Sequence, residues 1–204
     1  MTGQQITMKL KKTTSELFSP AFGKSIVAKM AKKSVELMWD RNEKGIDNTG
    51  IRYGGYNSSY TSQKRKLIAG TMKGRGGKGA SKTLARYNAM KTSYAARRVG
   101  DYLRLTGQLR KDTDWNITQY YQNKDFVNMS WRIRIKPRSE GKARGLQSTR
   151  GRNKYTSYRK KAFYFLGLTR RGGLQKAEQK ALTAIASKAL KDKLTLLQTK
   201  LKAL

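Results

Sequence analysis

With no His and no Cys, this 204-residue chain has 12 carboxylates as its whole inventory for acid/base or metal chemistry. Two of them, Asp112 and Asp114, stand one residue apart, with Asp101 and Asp125 nearby in sequence. Paired carboxylates are what two-metal phosphoryl transfer uses, because magnesium takes oxygen ligands and the two ions must be held a few ångströms apart. Side chains two apart at the start of a strand share a face, so the pair is placed for that chemistry. Its spacing carries no further specificity. Loop caps and ion pairs with neighbouring Arg110 and Lys111 account for the same residues far more readily.

A second stretch invites a nucleotide-binding reading. Glycines in Gly74-Arg-Gly-Gly-Lys-Gly-Ala-Ser81 would let backbone amides approach phosphates. A phosphate loop of the Walker type, however, needs Gly-Lys followed directly by Ser or Thr at a strand-to-helix junction. Here Gly79 follows Lys78 and no apolar strand precedes Gly70. The absence of His and Cys removes imidazole bases, thiolate nucleophiles, zinc fingers, iron-sulfur sites and disulfides. The expectation is a protein that is not an enzyme, with no catalytic residue, cofactor or metal.

What the chain has in excess is positive charge: 46 Lys and Arg against 12 Asp and Glu, for a formal net charge of +34. Such a surface expects a polyanionic or acidic partner. The charge is unevenly placed. Residues 48–100 hold no acidic residue, and residues 126–161 hold only Glu140. Both stretches are rich in Gly, Ser, Thr and Tyr, which reads as loop composition. Two basic arms are therefore expected, at about 48–100 and 137–161. Their candidate contacts with a partner or with DNA phosphate are Arg52, Lys64, Arg65, Lys66, Arg75, Lys78, Arg97, Arg98, Arg138, Lys142, Arg144, Arg150, Arg152, Lys154 and Arg159. Tyr53, Tyr56, Tyr60, Tyr155 and Tyr158 interleave with them and suit stacking on bases or packing on a partner. No base-reading module is present, so nucleic-acid binding would rest on phosphate charge and weaken steeply with salt.

The elements that must hold these arms show clear periodicity. Ser19-Pro20 is an N-cap and first-turn pair. Phe22, Ile26, Val27, Met30, Ala31, Val35, Met38 and Trp39 follow at helical steps, with Gly45 as a stop. Residues 115–121 and 126–136 read as a hairpin, whose second strand alternates strictly from Val127 to Lys136. Residues 162–168 are a short aromatic run expected to join the same sheet. Beyond Gly172-Gly173, Leu174, Ala177, Ala181, Ile185, Ala189, Leu190, Leu194, Leu197, Leu201 and Leu204 make one apolar stripe on a long helix. A further helix is expected inside residues 81–99. The sum is a single α+β domain spanning residues 1–204: a small antiparallel sheet packed by N- and C-terminal helices, with two long basic loop arms. The stripe of the last helix is read as packing on the sheet or on a neighbouring subunit rather than on a membrane. No apolar run reaches the about 18 residues of a spanning helix. Residues 1–12 lack the apolar stretch of a secretory signal, so synthesis in a cytoplasm is expected.

Three stretches together resemble the bacteriophage virion-morphogenesis or tail-completion family, the neck proteins that join head to tail. Gly54-Gly-Tyr-Asn-Ser-Ser-Tyr-Thr-Ser-Gln-Lys64 is similar to that family's Tyr-Ser-x-x-Tyr segment with following basic residues. Leu103-Arg-Leu-Thr-Gly-Gln-Leu-Arg110 is similar to its Leu-Thr-Gly-x-Leu-Arg turn leading into a hairpin. Phe165-Leu-Gly-Leu-Thr169 is similar to its Phe-Leu-Gly-Leu-Ser element ahead of the last helix, with Tyr164 where the family usually has Pro. Both basic arms stand as insertions relative to a compact member. The resemblance implies a structural virion protein: a subunit of a homo-oligomeric ring at the neck, made in the host cytoplasm. It would contact portal-side and tail-side proteins, with DNA passing through the lumen. It brings no catalytic residues and no membrane. Gly107 and Gly167 would serve structural turns. A ribosomal or other RNA-packing protein is the alternative that the charge alone equally suits.

Overall fold

Ser19 and Pro20 open the first helix as the sequence predicts. In the computed structural model, which describes residues 19–47, 50–53, 55, 56, 58–72, 78–122, 127–147 and 175–202, the Phe22 N–H donates to Ser19 Oγ at 3.2 Å. Helix α1 then runs over Pro20–Glu43. It stops where Gly45, at φ 72°, takes a left-handed conformation. Gly45 N–H donates to the Asn42 carbonyl at 3.0 Å and Ile46 N–H to the Arg41 carbonyl at 3.2 Å, the paired closing bonds of a Schellman end.

After α1 come α2 (Ser58–Ile68), α3 (Lys78–Met90), the one-turn α4 (Gln108–Lys111), strands β1 (Thr113–Gln122) and β2 (Val127–Ile135), α5 (Pro137–Gln147) and α6 (Lys176–Lys202). The two strands form one two-stranded antiparallel sheet. Thr118 Oγ1 and Ser130 Oγ lie 3.0 Å apart across it, and Arg134 faces Asp114 at 3.7 Å, so the polar side of the alternating strand is the solvated one. The architecture is α+β, with the sheet packed by the N- and C-terminal helices.

The chain divides into two compact units, one gathering the described residues of 1–34, 115–132 and 176–204, the other those of 35–114 and 133–175. In the first, Val27 and Ala31 of α1 and Leu182 and Leu197 of α6 are buried. Trp131 Nε1 donates to Ser34 Oγ at 3.1 Å, which gives a half-buried indole a hydrogen-bond partner. In the second, Met38, Trp39, Leu103, Leu109, Ala143 and Leu146 make the core, with Tyr53, Tyr56, Tyr102, Ile133 and Ile135 packed around it.

The expected loop arms differ from this. Where they are described they are largely helical: α2 and α3 lie inside the first and α5 inside the second. Glycine content had suggested loops, but residues 58–68 contain no Gly or Pro, and the glycine that follows, Gly70 at φ 67°, ends the helix instead. Helix α5 starts on Pro137 with Glu140 in its first turn, both favourable at a helix N-terminus. It buries only Ala143 and Leu146 among its described hydrophobic side chains, too sparse a stripe to stand out in the sequence. Helix α3 overlaps the helix expected inside residues 81–99 but starts earlier and stops at Met90. The aromatic run 162–168 lies outside the described residues.

Candidate functional site

The Leu103–Arg110 segment is the hub of the second unit. Gly107 sits at φ 72°, and a Cβ there would stand 2.6 Å from the Ala95 nitrogen and against the Tyr94 backbone and Thr92 Oγ1. The turn role expected of Gly107 is therefore set by two demands at once, a left-handed backbone and a neighbour with no room for a side chain. Thr92 N–H donates to the Thr106 carbonyl at 2.8 Å and Ala96 N–H to the Leu105 carbonyl at 3.2 Å, which fastens residues 92–96 alongside.

The tyrosine-rich segment that holds Tyr56, Tyr60 and Lys64 meets this hub from the other direction. Tyr56 Oη accepts the Leu103 N–H at 2.7 Å, and Lys64 Nζ donates to the Asp101 carbonyl. Tyr56 packs against Tyr60 at 4.9 Å and Tyr102 at 5.5 Å between ring centroids, and the Lys64 ammonium lies 4.8 Å over the Tyr56 ring. Burial raises the Tyr56 phenol above its usual range and, more strongly still, that of Tyr53. These tyrosines, expected to meet bases or a partner, are spent on the core.

Lys64 is likewise spent inside the protein. It was expected at a partner or phosphate contact, yet it is fully buried. Burial pushes its ammonium down to about 8, against the opposing pull of Asp101. The physical reason is position: α2 turns Lys64 and Leu67 inward together, at i and i+3.

Asp112 is the third structural surprise. It closes α4 rather than starting a strand, so strand alternation does not set it on one face with Asp114. Its carboxylate is fully buried. Arg138 Nε reaches both oxygens at 2.9 and 3.0 Å and Arg138 Nη2 reaches Oδ1 at 2.5 Å. Ser139 Oγ donates to Oδ2 at 2.6 Å and Gln108 Nε2 to Oδ1 at 2.8 Å. The Arg138 hydrogen bonds outweigh burial, and with Ser139 and Gln108 they hold the carboxyl well below the usual range. Arg110 is not its partner. Arg110 and Arg104 both pair with Glu43, and the Arg110 guanidinium lies 4.6 Å over the Tyr94 ring. Among the described residues no group of three or more carboxylates is placed to hold a metal.

What remains on the surface is a set of cations held on ordered backbone. Asp101 accepts the backbone N–H groups of Arg97 and Arg98 at 2.8 and 2.9 Å. Burial opposes its ionisation, but these bonds and Lys64 hold its carboxyl below the ordinary value. The effect is a fixed turn with both arginine side chains exposed. Arg65 and Lys66 are exposed on α2, and no ion pair joins these four to another described residue. A cleft of about 560 Å³ opens beside the turn, lined by Leu67, Tyr87, Asn88, Lys91, Ser93 and Arg97 among others. Arg52 is exposed beside the bridge it makes with Ile46. Lys142 and Arg144 are exposed on α5, Arg144 pairing with Glu140 at 2.6 Å. Arg138 is exposed but committed to Asp112. Lys78 begins α3, its side chain outside the described set, and Arg75, Arg150, Arg152, Lys154, Arg159 and Gly167 lie outside the described residues altogether.

Sequence reasoning missed the buried Asp112 cluster and the Glu43 clamp. The one available signal was that Asp112 stands two residues past the Leu103–Arg110 turn, where a fixed backbone gives a carboxylate a defined place. No protein-family model, no curated protein and no solved structure matches this chain.

Proposed function

We propose that this chain is a structural subunit of the head-to-tail connector of a tailed bacteriophage, a ring-forming neck protein with no catalytic activity of its own. The observation that carries the reading is the direct bond between two of the three segments that resemble the family. Tyr56 of the tyrosine segment accepts the N–H of Leu103, the first residue of the Leu-Thr-Gly turn, across 47 positions of sequence. Segments that pack on one another are under joint constraint, so their co-occurrence carries more weight than two separate matches would.

The basic surface supports the same reading. A neck protein sits beside DNA and against other virion proteins, and exposed Arg65, Lys66, Arg97 and Arg98 on ordered backbone offer phosphate or acidic side chains a preformed set of donors. Ring subunits meet through heterologous contacts, one patch against a different patch on the next copy. Such contacts need acidic surface, phosphate or counterions between copies that each carry a formal charge of +34.

Mass spectrometry of purified virions, followed by cryo-microscopy of the neck, tests the proposal. The expected result is a ring of this chain between portal and tail. Its absence from virions, or co-sedimentation with ribosomal RNA in its place, would overturn the reading in favour of an RNA-packing protein.

A further inference from the structure

We propose that the cleft bordered by the C-terminal ends of α2 and α3 receives one unpaired nucleotide of a single-stranded nucleic acid, its base on the apolar floor and its phosphate at the rim. This goes beyond the connector reading and does not depend on it. The cleft measures about 560 Å³, within the about 300–1,000 Å³ of small-ligand sites. Leu67, Tyr87 and Ala96 line it and are all buried side chains, so its floor is apolar and largely set by the core of its unit.

Tyr87 is the odd member of that floor. It is 9% exposed, yet among the described residues nothing bonds to its hydroxyl. What little of Tyr87 remains accessible includes that oxygen, and it is the cleft that Tyr87 lines. Burial raises the phenol above its usual range, so it stays protonated and can both donate and accept a hydrogen bond. A polar group this enclosed normally has a partner, and a ligand in the cleft supplies one.

The rim is held rather than merely charged. Lys91 and Arg97 are exposed, line the same cleft, and have no ion pair with another described residue. Residues 91–97 between them form an irregular turn that is fastened along its length. Besides the bonds to Leu105 and Thr106, Arg104 Nε donates to the Tyr94 carbonyl at 3.1 Å and Arg97 N–H donates to Asp101 Oδ2 at 2.8 Å. Two cations thus border an apolar floor on backbone that needs no ordering on binding.

The combination selects the ligand. A nucleotide brings a flat face for Leu67 and Ala96, a polar edge for the Tyr87 hydroxyl and a phosphate for Lys91 and Arg97. A carboxylate side chain would satisfy the cations alone and leave the floor wet. In a double helix the bases are stacked and paired inside, so only an unpaired one enters a pocket.

Fluorescence anisotropy of the full chain, at one salt concentration, tests this on an oligothymidine, an abasic strand of the same length and a duplex. The abasic strand carries the same phosphates, so charge alone predicts equal binding of the two single strands. The wild type is expected to bind the oligothymidine about tenfold tighter than the abasic strand. Asn88→Leu with Ser93→Leu, at two exposed positions lining the cleft, narrows it without changing charge. This variant should lose the advantage while keeping its circular dichroism and its binding to the abasic strand and the duplex. Tyr87→Phe keeps the ring and should reduce the advantage about threefold. Equal binding of the two single strands by the wild type, or an advantage undiminished in both variants, sinks the proposal. Cleft-dependent binding of an aspartate- and leucine-containing peptide in preference to the oligothymidine would assign the cleft to an acidic protein partner and likewise overturn it. Absence of the chain from virions would count against the connector reading alone.

Discussion

Arg138 grips Asp112 from the solvent side: its own side chain is 60% exposed, while the carboxylate it binds is 0% exposed. The buried partner is satisfied by four donors from three side chains, two of them outside α4, on Arg138 and Ser139 at the start of α5. The pair thus ties α5 back onto the turn that opens the hairpin, and Lys136 N–H adds a backbone bond to the Asp112 carbonyl at 2.9 Å.

Removing that carboxylate should loosen the second unit. Asp112→Ala leaves Arg138 free to hydrate but strips Ser139 and Gln108 of their acceptor, so a loss of about 2–3 kcal/mol is expected. Because the folded state depresses the Asp112 carboxyl, its contribution is complete above the ordinary carboxylate range of about 4 and fades as pH falls below it. Urea midpoints measured from neutral pH to about pH 2 should fall less steeply in the variant than in the wild type. Parallel pH curves would contradict the assignment.

Lys64 works with the opposite sign. Its folded value of about 8 lies below that of an unfolded lysine, so the unfolded chain binds the extra proton and stability rises as pH climbs from about 8 to about 10. Tyr53 and Tyr56 are raised by burial, and their contribution is lost above about pH 10, where the unfolded chain ionises first. The wild type should therefore be most stable between about pH 9 and 10. Lys64→Met should reduce the rise below that maximum and leave the fall above it, as read by thermal melts across the range.

Gly107→Ala combines a left-handed backbone with a clash against backbone atoms that cannot rotate away. The expected cost is about 3–5 kcal/mol, at the high end for a single methyl. Gly70→Ala has a comparable φ of 67° but open space around it, so about 1 kcal/mol is expected. A Gly70→Ala cost equal to that of Gly107→Ala would show that the close approach of residues 92–95 carries no weight.

Phosphate contact should follow exposure rather than charge. If Arg97 and Arg98 each meet a DNA phosphate, Arg97→Gln with Arg98→Gln should reduce the slope of log affinity against log salt by about 2 on duplex DNA of any sequence. Lys64→Met removes one charge as well, yet it should leave the slope unchanged, since its ammonium is enclosed. Fluorescence anisotropy over a salt series measures both, and an equal loss in the two variants would mean that net charge alone governs binding.

Local pattern determined much of this protein. The Ser19-Pro20 start, the Gly45 stop, the alternating strand 127–135 and the long C-terminal helix were all readable, because capping, left-handed turns and hydrophobic period are properties of neighbouring residues. Even so, α2 and α5 were hidden in their arms. Each buries only a few side chains, and such helices are decided by what they dock against, Leu67 and Lys64 in one case and Ala143 and Leu146 in the other. Charge was legible as a count but not as a surface. Whether Lys64 is solvated, or Asp112 is a ligand or a buried anchor, depends on Asp101, Tyr56, Arg138 and Ser139, all distant enough in sequence to leave no local trace. Only tertiary structure brings such groups within hydrogen-bonding reach, and only the loss of water there makes the same two charges behave as structural elements.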